Sequence, residues 1–236
     1  MKHALPLLVA ALPSAALGHG AADSMHHDQH AVTDVKPSAG ASMNWWAKPG
    51  SEDAVLVQAR MLNEALLAGH SATMVLDAWC AHHGMAAPNG VSIQKISSGT
   101  VEKIPAHVRK ALAIPRGADI MHRRVRLLCG GHILSEADNW YVPARIPPVM
   151  RETLTTTDVS FGRVLAPLNF TRKPLTLKML ATAKLISKAA SQGHGFDLFA
   201  HNALLSLPDG QPLAYVQETY KSGALEFVDG ADTLSH

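Results

Sequence analysis

The sequence predicts an α+β domain: an antiparallel β-sheet with helices packed over it. Three features carry that expectation. Apolar residues recur at helical spacing between residues 52 and 82, and alternating apolar and polar runs dominate after residue 120. Two turn signals, Gly130-Gly131 and Pro208-Asp209-Gly210, separate pairs of these alternating runs. Helices first and antiparallel strands afterwards place the helices against one sheet. With 236 residues, 47% of them hydrophobic, the chain can bury a sizeable core.

The N-terminal stretch "MKHALPLLVAALPSAALGHG" has a short basic start, an apolar run broken by Pro13, and a small-residue site at Ala16-Leu17-Gly18. Residues 1–18 therefore read as a signal peptide, which implies a periplasmic or secreted protein. A start at Met25 or Met43 would instead leave it cytoplasmic. No other window approaches the roughly 20 apolar residues of a membrane span. Residues 19–50 read as a flexible leader rich in His, Ala and Ser, with Trp45 and Trp46 able to dock on the body, and residues 51–236 as the domain. His26, His27 and His30 of the leader are either metal ligands or part of a solvated polar tail, and the tail is the simpler reading.

Ser51 opens a first helix with Glu52 and Asp53 in its first turn and Val55, Ala59, Leu62 and Leu66 on one face, ending at Gly69. A second helix begins near Ser71, buries Val75, Leu76, Trp79 and Cys80, and stops at Gly84. "GVSIQKISSGTV" reads as an edge strand, and "IPAHVRKALAIP" as a short helix between Pro105 and Pro115. Ile120–Cys129 and Ile133–Val142 form a hairpin. "PPVMRETL" and "DVSFGRVL" are short helices, the second capped by Asp158. "PLTLKML" is a strand, and "FAHNALLSL" and "PLAYVQETY" make the last hairpin.

The charge balance, 21 basic against 19 acidic residues, leaves no basic patch of the kind nucleic acid requires. Nucleotide-binding and hydrolase fingerprints are absent. Cys80 and Cys129 either pair in an oxidising compartment or stay free. Cys80-x-His82 and Cys129-x-x-His132 lack the paired spacing of a zinc site, so no metal is expected.

The stretches "RVRLLC", "FGRVLAPLNFTR" and "DGQPLAYVQETY" occur in an order and spacing similar to those of bacterial chorismate pyruvate-lyase, and the resemblance runs from Ala72 to Tyr220. It implies the chorismate lyase-like fold, shared by effector-binding domains of some bacterial regulators, with a closed pocket for an aromatic acid. The matching positions imply that Arg124 holds the carboxylate, helped by the backbone at Phe161 and Gly162. They imply that Glu218 handles the ring hydroxyl and the proton, and that Trp79 lines the lid. The reaction implied is pyruvate elimination from chorismate to give 4-hydroxybenzoate, the ubiquinone precursor. Aromatisation drives it, so no cofactor is expected.

The chemistry of the residue types agrees. A guanidinium forks onto a carboxylate while an acidic acceptor at the far end takes a hydroxyl proton. Arg126, two residues on, is either a second anchor or the partner of Glu136 across the hairpin. The chain departs from the family in two ways. Asp138-Asn139 stands where the family has Gly-Arg, which disfavours a dianion. Export would also separate the protein from cytoplasmic chorismate. Two functions are therefore expected of a monomer whose partner is a small aromatic or cyclic carboxylate. One is a chorismate lyase-like enzyme, and the other is an exported, non-catalytic binding protein.

Overall fold

The computed structural model describes residues 45–85, 90–101 and 103–227. The signal peptide, the leader through residue 44 with its histidines, and Met25 and Met43 lie outside the described residues. Six antiparallel strands form one sheet: β1 (Val91–Thr100), β2 (Met121–Cys129), β3 (His132–Tyr141), β4 (Thr171–Met179), β5 (Asp197–Ser206) and β6 (Pro212–Lys221). Their order across the sheet is β1-β2-β3-β6-β5-β4. The two hairpins expected from the glycine turns are β2-β3 and β5-β6, and they pair with each other through β3 and β6.

Strand alternation fixes the two faces. Val125, Ala137, Glu218 and His201 stand opposite one another on β2, β3, β6 and β5 and so share the inner face. Arg124, Asp138, Gln217 and Asn202 form the adjacent row and share the outer face. The choice of face is hydrophobic: Val125, Leu127 and Cys129 are buried while Arg124 is exposed.

Helices α1 (Glu52–Ala68), α2 (Ala72–His82), α5 (Phe161–Leu165) and α6 (Ala183–Gln192) contribute to cores that share the inner face, with α4 (Pro148–Thr156) closing one end. The buried face of α1 is Val55, Gln58, Ala59, Leu62 and Leu66, which follows the periodicity of the sequence. Trp45 and Trp46 are buried in the same core, so the body takes in a short turn ahead of Ser51. Ser51 itself makes no cap bond; its hydroxyl donates to the Trp46 carbonyl at 2.6 Å.

Three details differ from the sequence expectation. The short helix α3 (Ala106–Ala111) packs on the outer face, where Val108 and Leu112 cluster with Tyr215, Trp140 and Leu204. The cap of α5 is Ser160, whose hydroxyl accepts from the Arg163 amide at 3.4 Å, rather than Asp158. Helix α6 was not expected at all, although Thr182 caps it and Gly193 ends it in the left-handed region at φ 64°.

Cys80 on α2 and Cys129 at the end of β2 form a disulfide with Cα atoms 6.0 Å apart. Both cysteines are fully buried. No described helix is long and apolar enough to cross a membrane.

Candidate functional site

Between the inner face of the sheet and the cover of α2 and α5 lies a cavity of about 40 Å³, within about 470 Å³ of atom-free space that includes its open mouth. Its floor is Val125 and Leu127 of β2, Ala137 and Asn139 of β3, and Val216 and Glu218 of β6. Its cover is Ser71, Ala72 and Thr73 at the start of α2, with Ser160, Phe161 and Gly162 at the start of α5. Arg172 of β4, Phe170 and Leu205 make the far wall, and Ile93 of β1 the near one.

The charged centre is the pair Arg172 and Glu218, with side chains only 6% and 7% exposed. An Arg172 Nη2 atom lies 3.3 Å from Glu218 Oε2, and Nη1 donates to the Leu66 carbonyl at 3.5 Å. Both contacts are long for charge-assisted bonds, and among the described residues they engage two of the five N–H donors of this guanidinium. Tyr220 donates its hydroxyl to the same Glu218 oxygen at 3.0 Å. Complete burial, with the Glu218 carboxylate beside it, raises the Tyr220 phenol well above its ordinary range and keeps it a donor. His201 borders the pair on β5. Burial, aided by the Arg172 charge, lowers its pKa to about 4, so it is neutral at physiological pH.

The expected site residues divide. Glu218, Phe161 and Gly162 line the cavity. Arg124 does not: it lies on the outer face, 46% exposed, 3.4 Å from Glu136 Oε2 and 4.0 Å from Asp138 Oδ2. The expectation that Arg124 and Glu218 face one cavity is thus not met, because the apolar alternation of Val125 and Leu127 turns Arg124 outward. Arg126 shares that outer face and bonds Glu136 at 2.8 Å, the pairing alternative of the sequence reading. Its hydrogen bond, with the neighbouring cations, holds the Glu136 carboxyl below its usual range. Trp79 is a core residue whose indole donates to the Ala224 carbonyl at 2.8 Å. Asp138 is also outside, 2.7 Å from His122 Nε2, whereas Asn139 lines the cavity.

The inward arginine of β2 is Arg123, fully buried, donating to the Val159 carbonyl at 3.0 Å and, more weakly, to that of Thr157 at 3.4 Å. Its Nε and Nη1 have no partner among the described residues. Burial lowers its pKa, while Tyr141 and Asp158 oppose that shift. Sequence reasoning missed Arg172 as well as Ser71 and Thr73. Arg172 ends the stretch "FGRVLAPLNFTR", so the signal was present in the residues already singled out. Among the described residues no group of three His, Cys, Asp or Glu is placed to hold a metal.

No family model matches this chain. A curated relative does: the uncharacterized protein y4mC of Sinorhizobium fredii (strain NBRC 101917 / NGR234) is 38% identical over 211 residues, spanning 84% of this chain and 89% of the relative. The chain belongs to the y4mC family. Solved structures give weaker likenesses. The effector domain of PhnF from Mycobacterium smegmatis has a TM-score of 0.44 at 13% identity, over 64% of this chain and 88% of that one. The ligand-binding domain of a putative GntR-family transcriptional regulator from Bordetella bronchiseptica has a TM-score of 0.41 at 14% identity, over 55% and 84%. At these scores the α+β assignment rests on the sheet and helices themselves, and the y4mC family membership on sequence.

Proposed function

We propose that this chain is an exported binding domain that takes a small organic carboxylate, aromatic or cyclic, in the cavity beneath α2 and α5. The observation that carries the reading is Arg172: a guanidinium more than nine-tenths buried that lines the cavity, with two long contacts among the described residues. A buried cation with spare donors is a strong attractor for a carboxylate. Ser71, Ala72 and Thr73, at the N-terminal turn of α2, line the same space, and a helix N-terminus favours negative charge. Phe161 and Phe170 offer apolar faces to a ring.

The charge balance favours a monoanion. Among the described lining residues Arg172 is the one guanidinium, so one carboxylate can fork onto it, and Glu218 beside it opposes further negative charge. A second carboxylate, as in chorismate, would enter without a counter-charge. With Arg124 outside, the lyase reaction loses the anchor that the resemblance assigned to it, whereas binding does not need one there. Export fits the buried Cys80–Cys129 bridge, because disulfides persist in oxidising compartments.

Calorimetric titration of the purified chain with benzoate, 4-hydroxybenzoate and chorismate tests the reading. The expected result is heat with the two monoanions, weaker binding of chorismate and no pyruvate released from it. Pyruvate and 4-hydroxybenzoate appearing from chorismate would replace the binding reading with the lyase one, and no heat with any of the three would end both.

A further inference from the structure

The cavity of about 40 Å³ is smaller than the roughly 150 Å³ that an engineered cavity needs to take a benzene ring. A ligand of the class proposed above can be seated beyond the open mouth only if the walls part, so what holds them together limits how far it enters. The seam lies between the two cover helices. A Cβ placed on Gly162 of α5 would sit 2.7 Å from the Ser71 hydroxyl of α2, so the helices meet there with no space for a side chain.

Beside that seam one solvent-reachable cluster ties three walls together. Asp77 of α2 and Arg163 of α5 form an ion pair at 2.5 Å, with side chains 26% and 41% exposed. The other oxygen of Asp77 accepts from the Val91 amide at 2.7 Å, and Arg163 donates to the Val91 carbonyl at 3.1 Å. Val91 begins β1, whose Ile93 is the near wall of the cavity. Arg163 directly follows Gly162, and Asp77 lies about one turn beyond the cavity-lining start of α2. The C-terminal end of α2 is fixed differently, by the buried Cys80–Cys129 bond and by Trp79 on the Ala224 carbonyl.

We propose that Asp77 and Arg163 form the latch of a cover made of α2 and α5, with the Cys80–Cys129 bridge as its fixed end, and that opening this latch admits the ligand to the cavity. This rests on the binding reading for the identity of the ligand, but the opening itself can be measured without one. The bridge holds α2 to the sheet covalently, while the ion pair, less than one turn before it on α2, is a hydrated tie to α5, so the two cover helices part at their seam rather than detach. An exposed pair is weak enough to open thermally and is screened by salt.

Both native cysteines are in the disulfide, so Ala137→Cys, on the cavity floor and 3% exposed, places a single free thiol behind the cover of the full-length chain. Its alkylation by iodoacetamide reports opening. Leu134→Cys, in the buried core on the same strand, is the control for global unfolding. Asp77→Asn keeps the acceptor for the Val91 amide and removes the charge; Arg163→Gln removes the other half of the pair.

The expected result is that either change speeds alkylation at the floor by about two- to fivefold, the worth of an exposed pair. The double variant should be no faster than the singles. Raising salt to about 1 M should speed the parent but not the variants. Unchanged rates, additive effects, or equal acceleration at the Leu134→Cys control would overturn the latch. Protection of the floor thiol by benzoate tests the binding reading separately: its absence would remove the ligand and leave the latch result standing.

Discussion

His201 shows how one buried side chain contributes to the pH response of the chain. It is 2% exposed, its Nε2 lies 2.8 Å from Asn63 Oδ1, and its Nδ1 has no partner among the described residues. Its folded pKa of about 4 lies below the ordinary value of 6.5. The unfolded chain therefore takes up a proton as pH falls through 6.5, while the folded chain refuses it until about pH 4. Stability present above pH 6.5 is lost across that window, by about 2 to 3 kcal/mol for this group. The half-buried His83, also lowered to about 4 by burial, acts in the same direction. Urea denaturation at pH 7 and pH 4.5 should show the loss, and His201→Gln should make it smaller; an unchanged loss would assign it elsewhere. Gly223 gives a second residue-level test. A Cβ there would overlap the Ile133 backbone, so Gly223→Ala is expected to cost about 1 to 3 kcal/mol in the same assay.

Among the elements, α2 links the core to the cavity, because its first turn lines the site and its last turn carries Cys80. The bridge to Cys129 closes a loop with a sequence separation of 49. Loop-closure entropy assigns it about 4 kcal/mol. Reduction, or replacement of both cysteines by serine, should lower the unfolding free energy by about that amount, and a change under about 1 kcal/mol would contradict that assignment. The elements also show what the sequence could disclose. The apolar stripe of α1 and both hairpins follow from periodicity and turn residues, whereas the pairing of the hairpins through β3 and β6 does not. Helix α6 escaped notice because its buried face is only Ile186 and Ala189, too short a stripe to stand out, although Thr182 and Gly193 bracket it. The outer placement of α3 was illegible for a related reason: its few apolar side chains do not say which face of the sheet they cover.

For the molecule as a whole, the pattern of faces decides which side chains reach the cavity. "RVRLLC" contains its own answer, since Val125, Leu127 and Cys129 must be buried together and Arg124 and Arg126 must then point away. Of the residues that the resemblance named, Glu218, Phe161 and Gly162 line the cavity and Arg124 does not. Arg172 stands in a stretch that the sequence singles out, but its place beside Glu218 comes from β4 pairing with β5, which sets it opposite Leu205 on the inner face. Export is an expectation at this same scale: mass spectrometry of the mature chain should find cleavage after Gly18, and an N-terminus at Met25 or Met43 in a cytoplasmic fraction would contradict it. The central claim is that a buried guanidinium on the inner face, and not the exposed ones outside, receives the ligand. Calorimetric titration of 4-hydroxybenzoate into Arg172→Met and Arg124→Ala variants, each checked for an unchanged circular dichroism spectrum, tests it most directly. The account expects binding to vanish in the first and persist in the second; persistence in the first with loss in the second would contradict it.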